Sequence, residues 1–532
     1  MTYATSLDLH DIQGNIVKAY SRDRMPKGRY VFFAVRSGRA GRTFIDSLEP
    51  MITSSVPSAA ATSSSDAEIV ATNVAFTFEG LRALGVPQAS LQSFPDEFAM
   101  GMRARRQLLG DDGASALEHW DPIWTAAERV DILVLIHGAT DQAIDVRYRA
   151  VLDLLRPLNG GVELLSGHRG DNGASDLPYQ QASSLFIDGR YSANEHFGYR
   201  DSISNPYFRG NQTHASNVIG GGKVTGRNVE SVEGWAPIET GEFLLGYKDE
   251  AFELPEAPLP SLLAHNGTFM VYRKLHQNVG SFDTYLEQVG KEYPGGKEAL
   301  AAKMCGRWRS GAPVTTFRTE REANEFAARW EEARRSIADA TTPAVREVAK
   351  ERFSELNREF VAYDYAKDLD GGGCPFGAHT RRVQPRSSLQ YGQTGTFATP
   401  DALSLRRRLL RRGITYGESQ RDRTDAGNHG LIFMAFCANL QRQFEFVQQQ
   451  WVNYGNDFKR GNDKDPIAGS QVKDSSGAAA GRMMIEASNN NPDAPFFSGR
   501  LPRFVETRGG EYFFVPGKTA LRMIAEGFVD PT

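Results

Sequence analysis

The chain has 532 residues, of which 40% are hydrophobic and 24% charged, the composition of an ordinary globular protein. This length predicts more than one domain. The 61 Lys and Arg residues against 65 Asp and Glu give a net charge of −4, which excludes the basic excess of nucleic-acid-binding proteins. No apolar run is long enough to span a membrane, and the three widely spaced cysteines exclude a disulfide framework. Because no export signal is visible, we expect a cytoplasmic protein.

A first series of strands and helices is predicted up to about residue 155. Buried or alternating apolar runs predict strands at residues 29–35, 73–78 and 130–137. Helical patterns follow at residues 81–84 and 142–155, and the Ser/Ala-rich stretch 53–66 is predicted to be a loop. This alternation favours an α+β or an α/β sandwich.

A second series of predicted elements begins near Gly241. Strands are predicted at residues 242–247, 267–273 and 430–436, helices at 279–289 and 440–451, and a closing helix from 521. The charged stretch 318–367 carries apolar residues at helical spacing, which indicates an insertion of two helices. Residues 453–491 are predicted to be a long surface loop, and 503–515 a hairpin around Gly509–Gly510. The two series have the pattern expected of two copies of one small fold.

The stretch from Cys374 to Gly417 concentrates the residues that could carry chemistry. It offers one histidine, His379, followed by Arg381, Arg382 and Arg386 and by the basic run 406–412. An imidazole among guanidinium groups suits haem, whose iron takes an axial histidine and whose propionates attract arginines. The alternative is a histidine of the core or surface beside a solvated basic face.

A second constellation lies at residues 196–206, HFGYRDSISNP. Asp201 follows a glycine and an arginine and precedes two serines and a proline, a composition typical of a turn. Taken alone, this carboxylate is interpreted as an Asx-turn or helix-cap residue.

Together these stretches resemble a known family. GYRDSISNP, HTRRVQPR and LRRG are similar to the distal-acid, proximal-histidine and distal-arginine motifs of the dye-decolorising peroxidases. Further similar stretches, such as DIQGN and RGGEYFFVPG, extend the resemblance over nearly the whole chain and toward the longer bacterial and fungal-like members. The resemblance implies an α+β fold of two ferredoxin-like domains, each with an antiparallel sheet covered by helices. We place the domains at residues 1–215 and 216–532, with the helical insertion near 318–367 and haem held mainly by the second domain.

The resemblance also implies a role for individual residues. His379 would be the proximal ligand of one haem b per chain, Asp201 the distal acid, and Arg411, rather than Arg412, the distal arginine. The remaining residues expected to contact the porphyrin or its propionates are Ser202, Ile203, Ser204, Arg273, Gln384 and Arg386. The implied activity is the reduction of hydrogen peroxide, through a ferryl state, by aromatic, dye-like or phenolic donors. Peroxide and small aromatic reductants are the expected partners, and a homo-oligomer remains an open alternative.

Two positions depart from the family pattern. Ser202 stands where the family usually has glycine, and Asn439 stands where many relatives have an acid near the proximal histidine. Asn439 is therefore either a partner of His379 or a helix N-cap. The pairs Asp463 with Asp465 and Asp249 with Glu250 are interpreted as acidic loop residues.

Three aromatic residues could relay electrons from donors too bulky for the pocket. They are Tyr391, Tyr416 and Trp451, for which core packing is the alternative role.

Other activities are the alternatives to this interpretation. A chlorite-dismutase-like enzyme would need the arginine but not Asp201, and a haem carrier would need only His379. A zinc or non-haem site is disfavoured, since Cys374 is the only soft ligand close to His379 in sequence.

Overall fold

A computed structural model describes most of the chain. The described residues are 7–22, 24–56, 69–127, 129–170, 173–201, 203–211, 217–225, 231–390, 399–418, 423–486 and 495–528. Ser202, Tyr391 and part of the predicted loop 53–66 lie outside these ranges. Within the described part of the chain, no helix is both long enough and apolar enough to cross a membrane.

A ten-stranded antiparallel sheet forms the centre of the molecule. Its strands are β1 (Lys27–Val35), β2 (Val70–Phe76), β3 (Ile132–Gly138), β4 (Val162–Leu164), β5 (Gln180–Ser183), β6 (Thr268–Gln277), β7 (Leu410–Arg411), β8 (Ile414–Tyr416), β9 (Gly430–Cys437) and β10 (Val505–Val515). The order is β7-β9-β6-β10-β2-β3-β1-β4, with β8 also pairing with β9 and β5 with β1.

The sheet consists of two ferredoxin-like units with the same strand order. In the first, β1 to β4 alternate with helices Gly38–Leu48 and Asp141–Asp153 as βαββαβ. In the second, β6 to β10 repeat that pattern with helix Val279–Val289 and the π-helical segments Gln441–Glu445 and Val447–Val452. The units join where β10 pairs with β2, at Phe514 and Phe76. The opposite edges also meet, because the Thr415 hydroxyl donates to the Ser183 carbonyl at 2.6 Å. The predicted fold class is confirmed, and the domain boundary at residue 215 stays a prediction.

Helices cover the sheet and form the predicted insertion. The remaining α-helices are Gly14–Val17, Phe78–Ala83, Gln88–Leu91, Asp96–Arg105, Pro122–Thr125, Val218–Gly221, Ser261–Ala264, Gly296–Cys305, Glu320–Ala338, Pro343–Val361, His379–Val383, Ala402–Leu405 and Lys518–Glu526. Thr319 begins the first insertion helix with a capping box to Glu322, and Thr342 caps the second. Trp330 and Phe360 stack between them with ring centroids 5.3 Å apart.

Three sequence predictions are wrong. Residues 242–247 are not a strand: Thr240–Glu242 is a 3₁₀ turn, and the apolar run after it is buried without pairing in the sheet. Residues 503–515 do not turn back at Gly509–Gly510, since β10 runs through both glycines beside β6. Gly509 is needed because a Cβ there would lie 1.9 Å from Cδ1 of Trp124. The hairpin nearby instead pairs Gly481–Ile485 with Phe496–Leu501, so the long stretch 453–491 is not all surface loop.

Candidate active site

A cavity of about 310 Å³ lies against one face of the second ferredoxin-like unit. Alternate residues of β6 line it, namely Arg273, Leu275 and Gln277. Side chains alternate across a strand, so the intervening Lys274 points to the other face, where it pairs with Asp121 at 2.7 Å. The second unit therefore supplies the floor of the cavity.

His379 enters the cavity from the first turn of the short helix His379–Val383. Its Nδ1 lies 2.9 Å from Oδ2 of Asp465, whose side chain is fully buried. The other oxygen, Oδ1, accepts the backbone N–H groups of Ile467 and Ala468, both at 2.9 Å. An ionised Asp465 requires a proton on Nδ1, so the lone pair of the neutral imidazole is on Nε2, the nitrogen left for the cavity.

Charge and burial oppose each other in this pair. Burial lowers the pKa of His379, but the Asp465 carboxylate outweighs that effect and the pKa lies above its ordinary value. Burial likewise raises the pKa of Asp465, yet His379 and Arg382 hold it below its ordinary value. Asp465 is thus a stable anion beneath the imidazole.

The three arginines that follow His379 fix this segment in place rather than line the cavity. Arg381 binds Asp368 at 3.0 Å and the carbonyl of Cys374. Arg382 donates to main-chain carbonyls, including those of Trp451, at 3.0 Å, and Asp463, at 2.9 Å. All these guanidinium groups are buried, and their hydrogen bonds offset the cost of burying charge.

Arg386 lies outside the cavity lining. Its guanidinium donates to the carbonyls of Tyr363, Gly220 and Val361 and lies 4.0 Å from the centroid of the Tyr363 ring. These main-chain contacts hold the guanidinium outside the cavity lining, and the expected contact of Arg386 with porphyrin stays a prediction.

Asp201 and Arg411 stand together in the cavity wall. Arg411 Nη1 donates to Oδ1 of Asp201 at 3.1 Å, and Nη2 donates to the carbonyl of Ile203 at 3.1 Å. The neighbouring Arg412 points elsewhere and donates to the carbonyls of residues 15–17. Arg412 lies just beyond the end of β7, where its N–H donates to the carbonyl of Met434 at 2.8 Å.

Most of the other residues expected to contact the porphyrin are described by the structure. Ile203, Ser204, Arg273 and Gln384 all line the cavity. Three buried donor atoms among them, Ser204 Oγ, Arg273 Nη1 and Gln384 Nε2, have no hydrogen-bond partner among the described residues. Ser202 lies outside the described residues.

These features fit haem. His379 offers Nε2 as an axial ligand, and residues such as Leu275, Leu431 and Phe433 supply the apolar walls. The unpartnered donors match the carboxylates of propionates, because an unsatisfied buried N–H or O–H is costly unless a ligand accepts it.

Sequence reasoning missed Asp465 and left Asn439 undecided. Asn439 caps the start of its helix from the residue before Leu440: its Oδ1 accepts the N–H of Arg442 at 2.7 Å. The partner of His379 is instead Asp465, 86 residues away in sequence, in a stretch interpreted as surface loop. Its polar neighbours gave no local signal of burial. Tyr416 and Trp451 are both buried, as core packing predicts.

Comparisons with known proteins agree with this geometry. The family model of the DyP dimeric alpha+beta barrel domain matches residues 11–168, and that of the C-terminal part of Dyp-type peroxidases matches residues 394–463. A dye-decolorizing peroxidase, msp1, of Mycetinis scorodonius is 27% identical, covering 98% of this chain and 88% of the relative. The multifunctional dye peroxidase DyP2 of an Amycolatopsis species is 26% identical, covering 98% and 96%.

Solved structures show the same similarity in three dimensions. A dye-decolorizing peroxidase in complex with 2,6-dimethoxyphenol matches with a TM-score of 0.66 and 25% identity, covering 98% of this chain and 100% of that one. An ancestral D-type dye decolorizing peroxidase matches with a TM-score of 0.67 and 26% identity, covering 97% and 99%. The two family models, the relatives and the solved structures all support a dye-decolorising peroxidase.

Proposed function

We propose that this protein is a haem peroxidase that reduces hydrogen peroxide and oxidises aromatic, phenolic or dye-like donors. One observation carries the proposal: the His379–Asp465 pair and the Asp201–Arg411 pair occupy walls of the same cavity. The first pair suits an axial iron ligand, and the second suits proton transfer next to the bound group.

The cofactor in this proposal is one haem b per chain. His379 would hold its iron through Nε2, while Arg273, Gln384 and Ser204 would bind the propionates with their unpartnered donors. When bound, haem supplies the iron at which peroxide binds and the electrons that divide its O–O bond. Asp465 orients the imidazole and, as an anion, increases its electron donation.

Asp201 and Arg411 would manage the protons of peroxide. Reduction of one peroxide to two waters takes two electrons and two protons, and the first requirement is to move a proton from one peroxide oxygen to the other. An ionised Asp201 can accept that proton and return it. Arg411, 3.1 Å from Asp201, stabilises the carboxylate and the negative charge that develops as the bond breaks.

The reducing substrate follows from the relatives. One similar structure is a complex with 2,6-dimethoxyphenol, and several similar proteins are named dye-decolorizing peroxidases, which supports phenolic and dye-like donors for this chain. The presence of Asp201 beside Arg411 argues against a chlorite-dismutase-like enzyme, which would need the arginine alone. A haem carrier would need neither residue.

Spectroscopy of the haem-loaded protein tests the proposal. We expect a histidine-ligated ferric spectrum that changes rapidly with one equivalent of peroxide and returns when a phenol is added. His379→Ala should lose haem. Asp201→Asn should keep the resting spectrum while the peroxide reaction slows about 100-fold or more, the usual contribution of a positioned proton acceptor. An Asp201→Asn variant with unchanged peroxide kinetics would favour the carrier or the chlorite-type alternative.

A further inference from the structure

The turn that carries Asp201 is closed by backbone hydrogen bonds. The N–H of Asp201 donates to the carbonyl of Ala193 at 2.9 Å, and the N–H of Glu195 donates to the carbonyl of Tyr199 at 3.0 Å. Gly198 turns the chain with a φ of 95°, and its N–H donates to the carbonyl of Glu195 at 2.8 Å. A tight turn of this kind leaves inward-pointing N–H groups that need an acceptor.

The carboxylate of Glu195 fills the inside of this turn. Its Oε1 accepts the backbone N–H of Tyr199 at 2.8 Å, and its Oε2 accepts that of Phe197 at 2.9 Å. The Nε2 group of Gln277, on β6, donates to the same Oε2. All three hydrogen-bond partners of this carboxyl group among the described residues are donors, and the bond from Gln277 ties the turn to the central sheet.

Glu195 also belongs to the cavity wall, together with Asp201 and Gln277. Burial raises the pKa of Glu195, the three N–H donors oppose that effect, and nearby Asp201 raises the pKa further. A second carboxylate thus stands in the cavity that the proposed chemistry does not use. Burying this carboxyl group costs free energy, and its hydrogen bonds to the turn offset that cost.

We propose that Glu195 is a positioning residue for Asp201. Its carboxylate organises residues 193–201 through the N–H groups of Phe197 and Tyr199, and Gln277 fixes the turn against β6. The place of the Asp201 carboxyl, 3.1 Å from Arg411, depends on this arrangement. This inference rests on the proposed peroxidase function.

Glu195→Gln is the first test. An amide has one acceptor oxygen, so it cannot accept all three N–H groups, and its own NH₂ must face a donor. Misplacing a catalytic group by about 1 Å can cost about 100-fold. We therefore expect the peroxide-dependent spectral change to slow about 10- to 100-fold, with haem occupancy, resting spectrum and the later reduction by a phenol unchanged.

A matched control removes the same chemistry elsewhere. Oε1 of Glu511 accepts the N–H groups of Met102 and Tyr512, at 2.6 and 2.8 Å, outside the cavity lining. Glu511→Gln should leave the peroxide rate unchanged. Gln277→Leu keeps the Glu195 side chain and its hydrogen bonds to the turn but removes the link to the sheet, so it should slow the peroxide step by a smaller factor. That variant decides the matter if Glu195→Gln does not fold.

A double-mutant cycle separates positioning from a general structural role. If Glu195 acts through Asp201, Glu195→Gln should cause no further slowing in the Asp201→Asn background. Equal slowing in both backgrounds, or an unchanged peroxide rate in both the Glu195 and Gln277 variants, would overturn the inference. In either case a wild-type chain that binds haem and reacts with peroxide keeps the proposed function, whereas a wild-type chain that does neither refutes that function instead.

Discussion

The sharpest prediction concerns Asp465→Asn. The Asp465 carboxylate accepts three N–H groups: two from the backbone, at Oδ1, and one from His379, at Oδ2. The amide of asparagine has only one acceptor oxygen. If that oxygen stays on the two backbone donors, the NH₂ group faces Nδ1 of His379. It can donate a hydrogen bond there only if Nδ1 carries a lone pair instead of a proton. The proton then moves to Nε2, which is the wrong tautomer for binding iron.

The size of the effect follows from the bonds exchanged. A hydrogen bond to a charged group contributes about 1.5–3 kcal/mol and a neutral one about 0.5–1.5 kcal/mol. Restoring the productive tautomer in Asp465→Asn turns the amide oxygen toward His379, which sacrifices both backbone hydrogen bonds in addition to the charge on the acceptor. We expect a loss of about 1.4–2.8 kcal/mol, or about 10- to 100-fold in haem affinity, the range typical of such partners of metal-binding histidines.

The assay is a titration of the haem-free protein with haem, followed by absorbance and by thermal unfolding. Asp463→Asn is the control, because Asp463 lies two residues away and its carboxylate binds the exposed Arg482. The control should bind haem as the wild type does. Equal haem affinity and an identical spectrum in Asp465→Asn and the wild type would refute the role of Asp465 as the partner that sets the tautomer of His379.

Three further predictions concern pH, the arginine pair and a buried glycine. Because the pKa of His379 lies above its ordinary value, haem affinity should be constant above that pKa and fall about tenfold per pH unit below it, where a proton competes for Nε2; a titration series that shows the fall on the alkaline side would contradict this. Arg411→Lys should slow the peroxide reaction about tenfold or more in stopped-flow measurements, whereas Arg412→Lys should leave that rate unchanged and lower stability; the reverse pattern would exchange their roles. Gly509→Ala should lower the free energy of unfolding by about 1–3 kcal/mol in urea titrations, since its Cβ would meet Trp124, while Gly499→Ala, with nothing within 4 Å of the added Cβ, should not.

The sequence predicted most of the sheet because its strands are buried, apolar and bounded by turns. Strands β1, β3, β6 and β9 and the two insertion helices were predicted close to their bounds. Residues 242–247 misled the prediction, since a short apolar run is buried with or without strand pairing. Gly509–Gly510 misled it in the opposite way: Gly509 leaves room for the Trp124 side chain, and Gly510 for the Tyr272 carbonyl and the Met102 side chain, so neither glycine marks a turn.

At the site, sequence motifs indicated His379, Asp201 and Arg411, because each stands in a short pattern whose residue types suit one task. Between Arg411 and Arg412, the sequence favoured Arg411, which the structure places beside Asp201. The motifs could not separate Arg386 from true cavity residues, since a guanidinium serves a propionate and a main-chain carbonyl equally well.

What the sequence determined by itself is local: the strand and helix pattern, the motifs and the family to which they point. What only the tertiary structure decided is which distant groups meet. Asp465 becomes the partner of His379 across 86 residues, and Glu195 joins Gln277 across 82. Burial makes these contacts strong, because a carboxyl group that is removed from water can form hydrogen bonds only with protein donors. Which residues pair in this way depends on the packing of the two ferredoxin-like units, and no short stretch of the sequence predicts it.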